Sequence, residues 1–201
     1  MAIKESSDEL NPVAVTADTA LATPRSARSA KDYLALAIGT CGVGYLPLAP
    51  GTWGSLIGVG VYLSLRWNLF RPPSDTDPLA YLSSFLAAEF VVLVVIILAG
   101  IWAGSRAERA LQVKDPGKVV IDEVAGQLIA LLPVPLVIIG SWPIWVIASF
   151  LLFRFFDIIK PYPARRLESL ESGIGIMADD IVAGMYAAGV IGVAILLTGL
   201  T

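Results

Sequence analysis

The stretch FRFFDIIKPYPARRLESLESGIGIMADDIVAGMY, residues 153–186, decides how the rest of the chain is read. It places Arg154, Asp157 and Lys160 at the end of one apolar run, and Asp179 and Asp180 at the start of the next. Charges at both ends of a polar loop between two apolar segments make a site at a membrane surface. The remaining sequence then has to supply the apolar helices that hold this site in place.

Composition agrees with that reading. Of 201 residues, 56% are hydrophobic and only 15% charged, and the mean hydropathy is +0.76. A soluble domain carries about 25% charged residues. The deficit points to an integral membrane protein, and the apolar segments of the chain to an all-α bundle of about four to five helices. The net charge of -3 offers no basic surface for nucleic acid. Cys41 is the single cysteine, which excludes an intramolecular disulfide framework. There is no histidine. That removes His-based nucleophile relays, His-ligated zinc and phosphohistidine chemistry, and leaves carboxylate–metal chemistry standing.

Residues 1–31 are polar and small, without the apolar core of a secretory signal, and read as a disordered tail. The membrane domain is expected over 32–201. Residues 33–38 read as a helix turn or two ending near Gly39. The following GTCGVGYLPLAPGTWGS, residues 39–55, holds five glycines and two prolines and is expected to be irregular. It is either a turn or a loop whose amides, with Thr52 and Ser55, contact a phosphate. Apolar segments follow at 55–70, 79–104, 124–140, 143–157 and 181–200, with a firm proline break at 71–78. Glu89 is the only charge in 79–104. It reads as structural: facing the bundle and pairing with Arg66, protonated, or snorkelling. Residues 105–121 read as a polar connection with a turn at Asp115-Pro116-Gly117.

If each apolar segment crosses, the polar pieces alternate sides. One side then collects 12 of the 14 basic residues, leaving Arg66 and Arg71 on the other. The positive-inside rule makes the crowded side cytoplasmic. The same side receives the 39–55 loop, Asp115, Asp122, Glu123, Asp157, Asp179 and Asp180, which the count of basic residues did not require.

Each charged element also has a plain structural reading. Asp122 and Glu123 suit a helix N-terminus. Asp179 suits an N-cap with Asp180 in the first turn. Arg154 and Asp157, three apart on one helix, can pair, and Lys160 before Pro161 can cap a C-terminus. Together, five carboxylates at one interface with two cations nearby are costly unless a cation is bound. Oxygen ligands alone select a hard ion, Mg²⁺ first, and the set Asp122, Glu123, Asp157, Asp179 and Asp180 is the expected ligand group. Arg154 and Lys160 are expected to neutralise phosphate oxygens.

The blocks APGTWGS (49–55), DPGKVVIDEVAG (115–126), FRFFDIIKPYP (153–163) and GIGIMADDIVAGMYA (173–187) resemble the signature blocks of the phosphatidylglycerophosphatase A family. In order and spacing they cover the chain from about residue 32 onward. The break at 71–78 and the span after it depart from the family pattern. The resemblance implies a Mg²⁺-dependent phosphatase of the bacterial inner membrane, a compact all-helical domain that removes the terminal phosphate of phosphatidylglycerophosphate. The implied catalytic residues are Asp122, Glu123, Asp157, Lys160, Asp179 and Asp180. Arg154, Thr52, Ser55, Arg165 and Arg166 are the expected contacts to an anionic phospholipid, the last two at the lipid surface. The partners expected are that lipid and the bilayer, with a homo-oligomer left open.

Other phosphatase chemistries fit less well. A Cys-x5-Arg enzyme needs arginine six residues after its nucleophile, and Pro47 stands there after Cys41. Phosphatidic-acid-type phosphatases need histidine. CDP-alcohol phosphotransferases share carboxylates and Mg²⁺, but their DGxxAR block is absent. A cation transporter would put charge at mid-membrane, and Glu89 alone fits that.

Overall fold

The computed structural model describes residues 28–69, 77–136, 142–167, 170 and 172–198. Nearly all of the expected polar tail, most of the 71–78 break and part of the 140–143 break lie outside the described residues. Within them the chain is helical, with seven α-helices.

Helix α1 is Ala30–Thr40. It starts earlier than residues 33–38 suggested because Ser29 caps it. The Ser29 hydroxyl accepts from the Asp32 amide, and the Asp32 carboxylate accepts from the Ser29 amide, a reciprocal capping box. Helix α2 is Pro50–Ser64, opened by proline in its first turn and followed by a π-helical turn, Leu65–Leu69. The second half of the glycine-rich stretch is therefore helical, a correction to its reading as an irregular loop. Its glycines are tolerated because they face another helix at close range.

Helix α3, Pro78–Leu111, is capped by Asp77, whose carboxylate accepts from the Leu79 amide. It runs past the expected end at 104, so residues 105–111 are helix rather than connection. The extra turns carry Arg106, which pairs with Asp32 at 2.8 Å and ties α1 to α3. Helix α4 is Ile121–Leu131, stopped just before Pro133, with a 3₁₀ turn at Val134–Leu136. Helix α5 is Trp142–Ile159, α6 the short Ala164–Leu167, and α7 Ser172–Thr198.

Helix α4 is the hub. It packs on α7 and α2 most extensively, and also on α3 and α5. Ile121, Asp122 and every residue from Val124 to Leu131 are buried. A helix apolar on all sides belongs in a core. At 11 residues it is about 16 Å long, roughly half of a ~30 Å hydrocarbon layer. Helix α2, at 15 residues, is also short. Among the described residues three helices are long and apolar enough to cross a membrane: Leu79–Leu111, Trp142–Ile159 and Ser172–Thr198. They enclose α4 and expose apolar stripes outward, among them Phe90, Val95, Leu98, Ile147, Leu151, Val193 and Leu196. A bundle with apolar residues both inside and outside is a membrane protein. The five apolar segments, whose crossing was the condition for alternating sides, therefore become three helices long enough to cross and two short ones, α2 and α4.

Glu89 is fully buried and has no hydrogen-bond partner among the described residues. It neither snorkels nor forms an ion pair with Arg66. Arg66 instead donates to the Tyr62 hydroxyl at 3.5 Å and covers the Trp142 ring at 4.7 Å.

Candidate active site

The ends of α1 to α5 and α7 meet at one end of the bundle, where the polar connections also gather. The Val120 amide donates to the Gly39 carbonyl at 2.8 Å, joining the end of α1 to the start of α4. The Gly173 amide donates to the Ser105 hydroxyl at 2.9 Å, joining the start of α7 to the outer turns of α3.

Asp122 and Glu123 lie in the first turn of α4, where the helix dipole favours negative charge. Asp179 and Asp180 lie on α7. Because α7 begins at Ser172, they sit two turns inside it, and the reading of Asp179 as an N-cap is corrected. Gly173 and Gly175 weaken the helical pattern in the sequence, yet both are buried because neighbouring backbone comes too close for a side chain. Arg154 and Asp157 lie in the last turns of α5. Lys160 follows in the left-handed conformation, φ 46°, its amide closing onto the Phe156 carbonyl at 2.8 Å.

One ligand oxygen each from Asp122, Glu123 and Asp180 lies within 4.8 Å of the other two. Asp122 Oδ1 and Glu123 Oε2 are buried without a hydrogen-bond partner among the described residues. Burial pushes the Asp122 carboxyl well above the usual carboxylate range, and the Glu123 charge adds to this. Burial also raises Glu123, opposed by a hydrogen bond with Asp122. Buried like charges this close call for a counter-charge.

Two cations flank the cluster. Arg154 Nη1 pairs with Asp157 at 2.8 Å and donates to the Ser55 hydroxyl at 3.4 Å. Its Nε is buried and has no partner among the described residues. Lys160 Nζ pairs with Asp179 Oδ2 at 2.7 Å. Asp157 and Asp179 thus hold the cations, while Asp157 remains near enough to Asp180 to act on its charge.

The structure brings the six expected catalytic residues and Arg154 into one region. Ser55 joins them indirectly: fully buried, it donates to the Gly51 carbonyl at 3.0 Å while accepting from Arg154. Thr52 is half-buried in the first turn of α2. Arg165 and Arg166 are exposed on α6, apart from the carboxylates, with Arg166 5.1 Å over the Tyr162 ring.

The sequence reading missed the glycines that let these ends converge. A Cβ on Gly51 would overlap the Glu123 carboxylate. One on Gly54 would meet the Val120 carbonyl at 2.7 Å, and one on Gly58 the Gln127 Cβ at 2.9 Å. Their spacing at 51, 54 and 58 is one helix face, a signal visible in the sequence once that stretch is read as helix. Gly126 and Gly184 do the same between α4 and α7.

Comparison with known proteins agrees with this arrangement. The family model of phosphatidylglycerophosphatase A matches residues 37–195. A Bacteroides thetaiotaomicron protein, provisionally named a phosphatidylinositol-3-phosphatase, is 37% identical over 81% of this chain and 94% of its own length. The phosphatidylglycerophosphatase A of Haemophilus influenzae is 38% identical over 76% of this chain and 82% of its own. That of Escherichia coli is 35% identical over 78% and 79%. No solved structure matches the chain significantly. The matched span contains the carboxylate cluster and both cations that flank it, and the chain belongs to the phosphatidylglycerophosphatase A family.

Proposed function

We propose that this chain is a Mg²⁺-dependent hydrolase that converts phosphatidylglycerophosphate to phosphatidylglycerol and phosphate at the cytoplasmic face of the inner membrane. The observation that carries the reading is the convergence of Asp122, Glu123 and Asp180 between two fixed cations, with one buried oxygen each of Asp122 and Glu123 lacking a hydrogen-bond partner among the described residues. Family membership supports the reaction class.

The residues fit a divalent ion. The donors are all carboxylate oxygens, which suits a hard cation. Asp122, Glu123 and Asp180 would hold it, with Asp157 and Asp179 beside them. When bound, the ion supplies positive charge against the phosphate and makes water more acidic. The chain does the rest. Arg154, held by Asp157 and Ser55, would set its positive charge against a phosphate oxygen. Lys160, anchored by Asp179, meets another. Water attacks phosphorus in line, the ester P–O bond breaks, and the leaving oxygen takes up a proton to become the lipid alcohol. A carboxylate of the cluster accepts the proton that the attacking water loses. Acyl chains stay in the bilayer because the site lies at one end of the apolar helices. The excess of basic residues at that end supports a cytoplasmic orientation.

The name of the Bacteroides relative favours a second head group, an inositol 3-phosphate. Both are phosphate monoesters. Phosphate release by the purified protein from phosphatidylglycerophosphate, phosphatidylinositol 3-phosphate and phosphatidic acid in matched micelles separates the two. The expected kcat/KM favours phosphatidylglycerophosphate by about tenfold or more. A preference for the inositol lipid would replace the proposed substrate, and no release from any of the three would overturn the reaction.

A further inference from the structure

The outer face of α7 carries an apolar groove that the chemistry above does not use. It is a shallow depression of about 510 Å³, open to the outside, and its lining from Met185 to Leu197, including Tyr186, Gly189, Val190 and Val193, belongs to α7 alone. This is the face opposite Ala187, Ile191 and Ile195, which are buried against the bundle. Gly189 forms part of the groove wall: a Cβ there would meet nothing within 4 Å.

The groove has a polar end and an apolar end. At the polar end the Tyr186 hydroxyl donates to the Tyr162 carbonyl at 2.7 Å, and its ring lies 5.5 Å from that of Phe156. Tyr162 belongs to the same turn as Lys160, and Phe156 precedes Asp157. Arg165 and Arg166 are exposed just beyond, Arg166 over the Tyr162 ring. The groove therefore begins beside the cation that flanks the carboxylate cluster and runs away from it along an apolar helix. From Tyr186 to Leu197 the helix rises about 16 Å. That is about half of a ~30 Å hydrocarbon layer, the depth of one leaflet.

We infer that this groove is the binding site for one acyl chain of the phospholipid whose phosphate enters the carboxylate cluster. Charge and length both select this occupant: an anionic head group at the basic end, and a hydrocarbon chain one leaflet long below it. Membrane lipids then reach the site laterally along α7, and Tyr186 marks the boundary between chain and head group. The inference rests on the lipid-phosphatase reading for the nature of the head group.

The test uses the full chain in nanodiscs, with chelator present so that lipid is not consumed. The probe is phosphatidylglycerophosphate bearing a photoactivatable diazirine near the end of one acyl chain. Labelling is expected on the α7 peptide containing Val190 to Leu197. Gly189→Phe, at a position where an added Cβ meets nothing within 4 Å, should lower that labelling about tenfold. Labelling spread evenly over α3, α5 and α7, unchanged in Gly189→Phe, would overturn the groove. So would disulfide dimers formed efficiently through Gly189→Cys, which would make this face a contact between two copies. Hydrolysis of the water-soluble deacylated head group reports on the catalytic reading separately. Gly189→Phe should leave that rate unchanged while lowering kcat/KM on the long-chain lipid. If both rates fall together, the groove assignment fails. If the wild type does not hydrolyse the soluble head group, the catalytic reading loses support, and the labelling still decides the groove.

Discussion

Gly51 and Ser55 determine where Arg154 can stand. The Ser55 hydroxyl, fixed on the Gly51 carbonyl, accepts from Arg154, and Gly51 leaves the space that Glu123 and Arg154 fill. The acidic residues were legible in the sequence because adjacent carboxylates next to apolar runs are rare and costly. The role of Ser55 was not, because a buried hydroxyl bonded to backbone looks the same in a sequence as one bonded to phosphate. Asp180→Asn should lower phosphate release by more than about a hundredfold, yet melt no lower than the wild type, because it removes one of several crowded buried charges. Phosphate release and thermal unfolding in detergent measure the two effects. A readout without turnover is available as well. Mg²⁺ at a hundred times its dissociation constant should stabilise the wild type by about 2.7 kcal/mol, and Asp180→Asn should lose most of that gain. Equal thermal shifts in both proteins would remove Asp180 from the cation site.

At the scale of elements, helix existence was easier to read than helix ends. The apolar core of α5 was plain from composition, whereas the expected segment 124–140 overran α4, which stops at Leu131 just before Pro133. The ends of α2, α3 and α7 were misplaced for one physical reason. Glycine and charge usually end helices, but here glycines mark close approach between helices, and Arg106 holds a neighbouring helix. Tertiary packing overrides local propensity at each of these ends. Gly58→Val tests the α2–α4 approach. Its Cβ would meet the Val124 carbonyl and the Gln127 Cβ at 2.9 Å, so a loss of about 1–3 kcal/mol is expected in a denaturation experiment. The cap of α1 offers a milder case. Ser29→Ala should loosen the helix by about 1 kcal/mol, seen as faster amide exchange at Tyr33 to Leu36. Hydrogen bonds from the Ser29 amide and hydroxyl hold the Asp32 carboxyl below its ordinary 3.8, aided by Arg106. A depressed acid stabilises the fold above its unfolded value, and that stabilisation is lost as pH falls through the lower folded value. The protection of the α1 amides, their exchange relative to an unstructured peptide at the same pH, should therefore fall below pH 3.8 and stay flat above it.

For the molecule as a whole, the sequence made the membrane class and the shared end of the polar connections legible, because composition and alternation depend only on segment order. The number of crossings was not legible. A helix apolar on every side reads the same whether lipid or protein surrounds it, and α4 turned out to be surrounded by protein. The two ends of α3 lie on opposite ends of the bundle. In a Cys41→Ser background, Lys114→Cys and Arg165→Cys should react with an impermeant maleimide only from the cytoplasmic side of the membrane, and Asp77→Cys only from the other. Labelling of all three from one side would refute the topology. The central claim is that the cluster of Asp122, Glu123 and Asp180 is a cation site for hydrolysis of a lipid phosphate. The most direct measurement is phosphate release from phosphatidylglycerophosphate by the purified chain, titrated with Mg²⁺ after chelation. No release is expected without the ion, with recovery on its addition and no recovery in Asp180→Asn. Full release in the presence of chelator, or full recovery in Asp180→Asn, would contradict it.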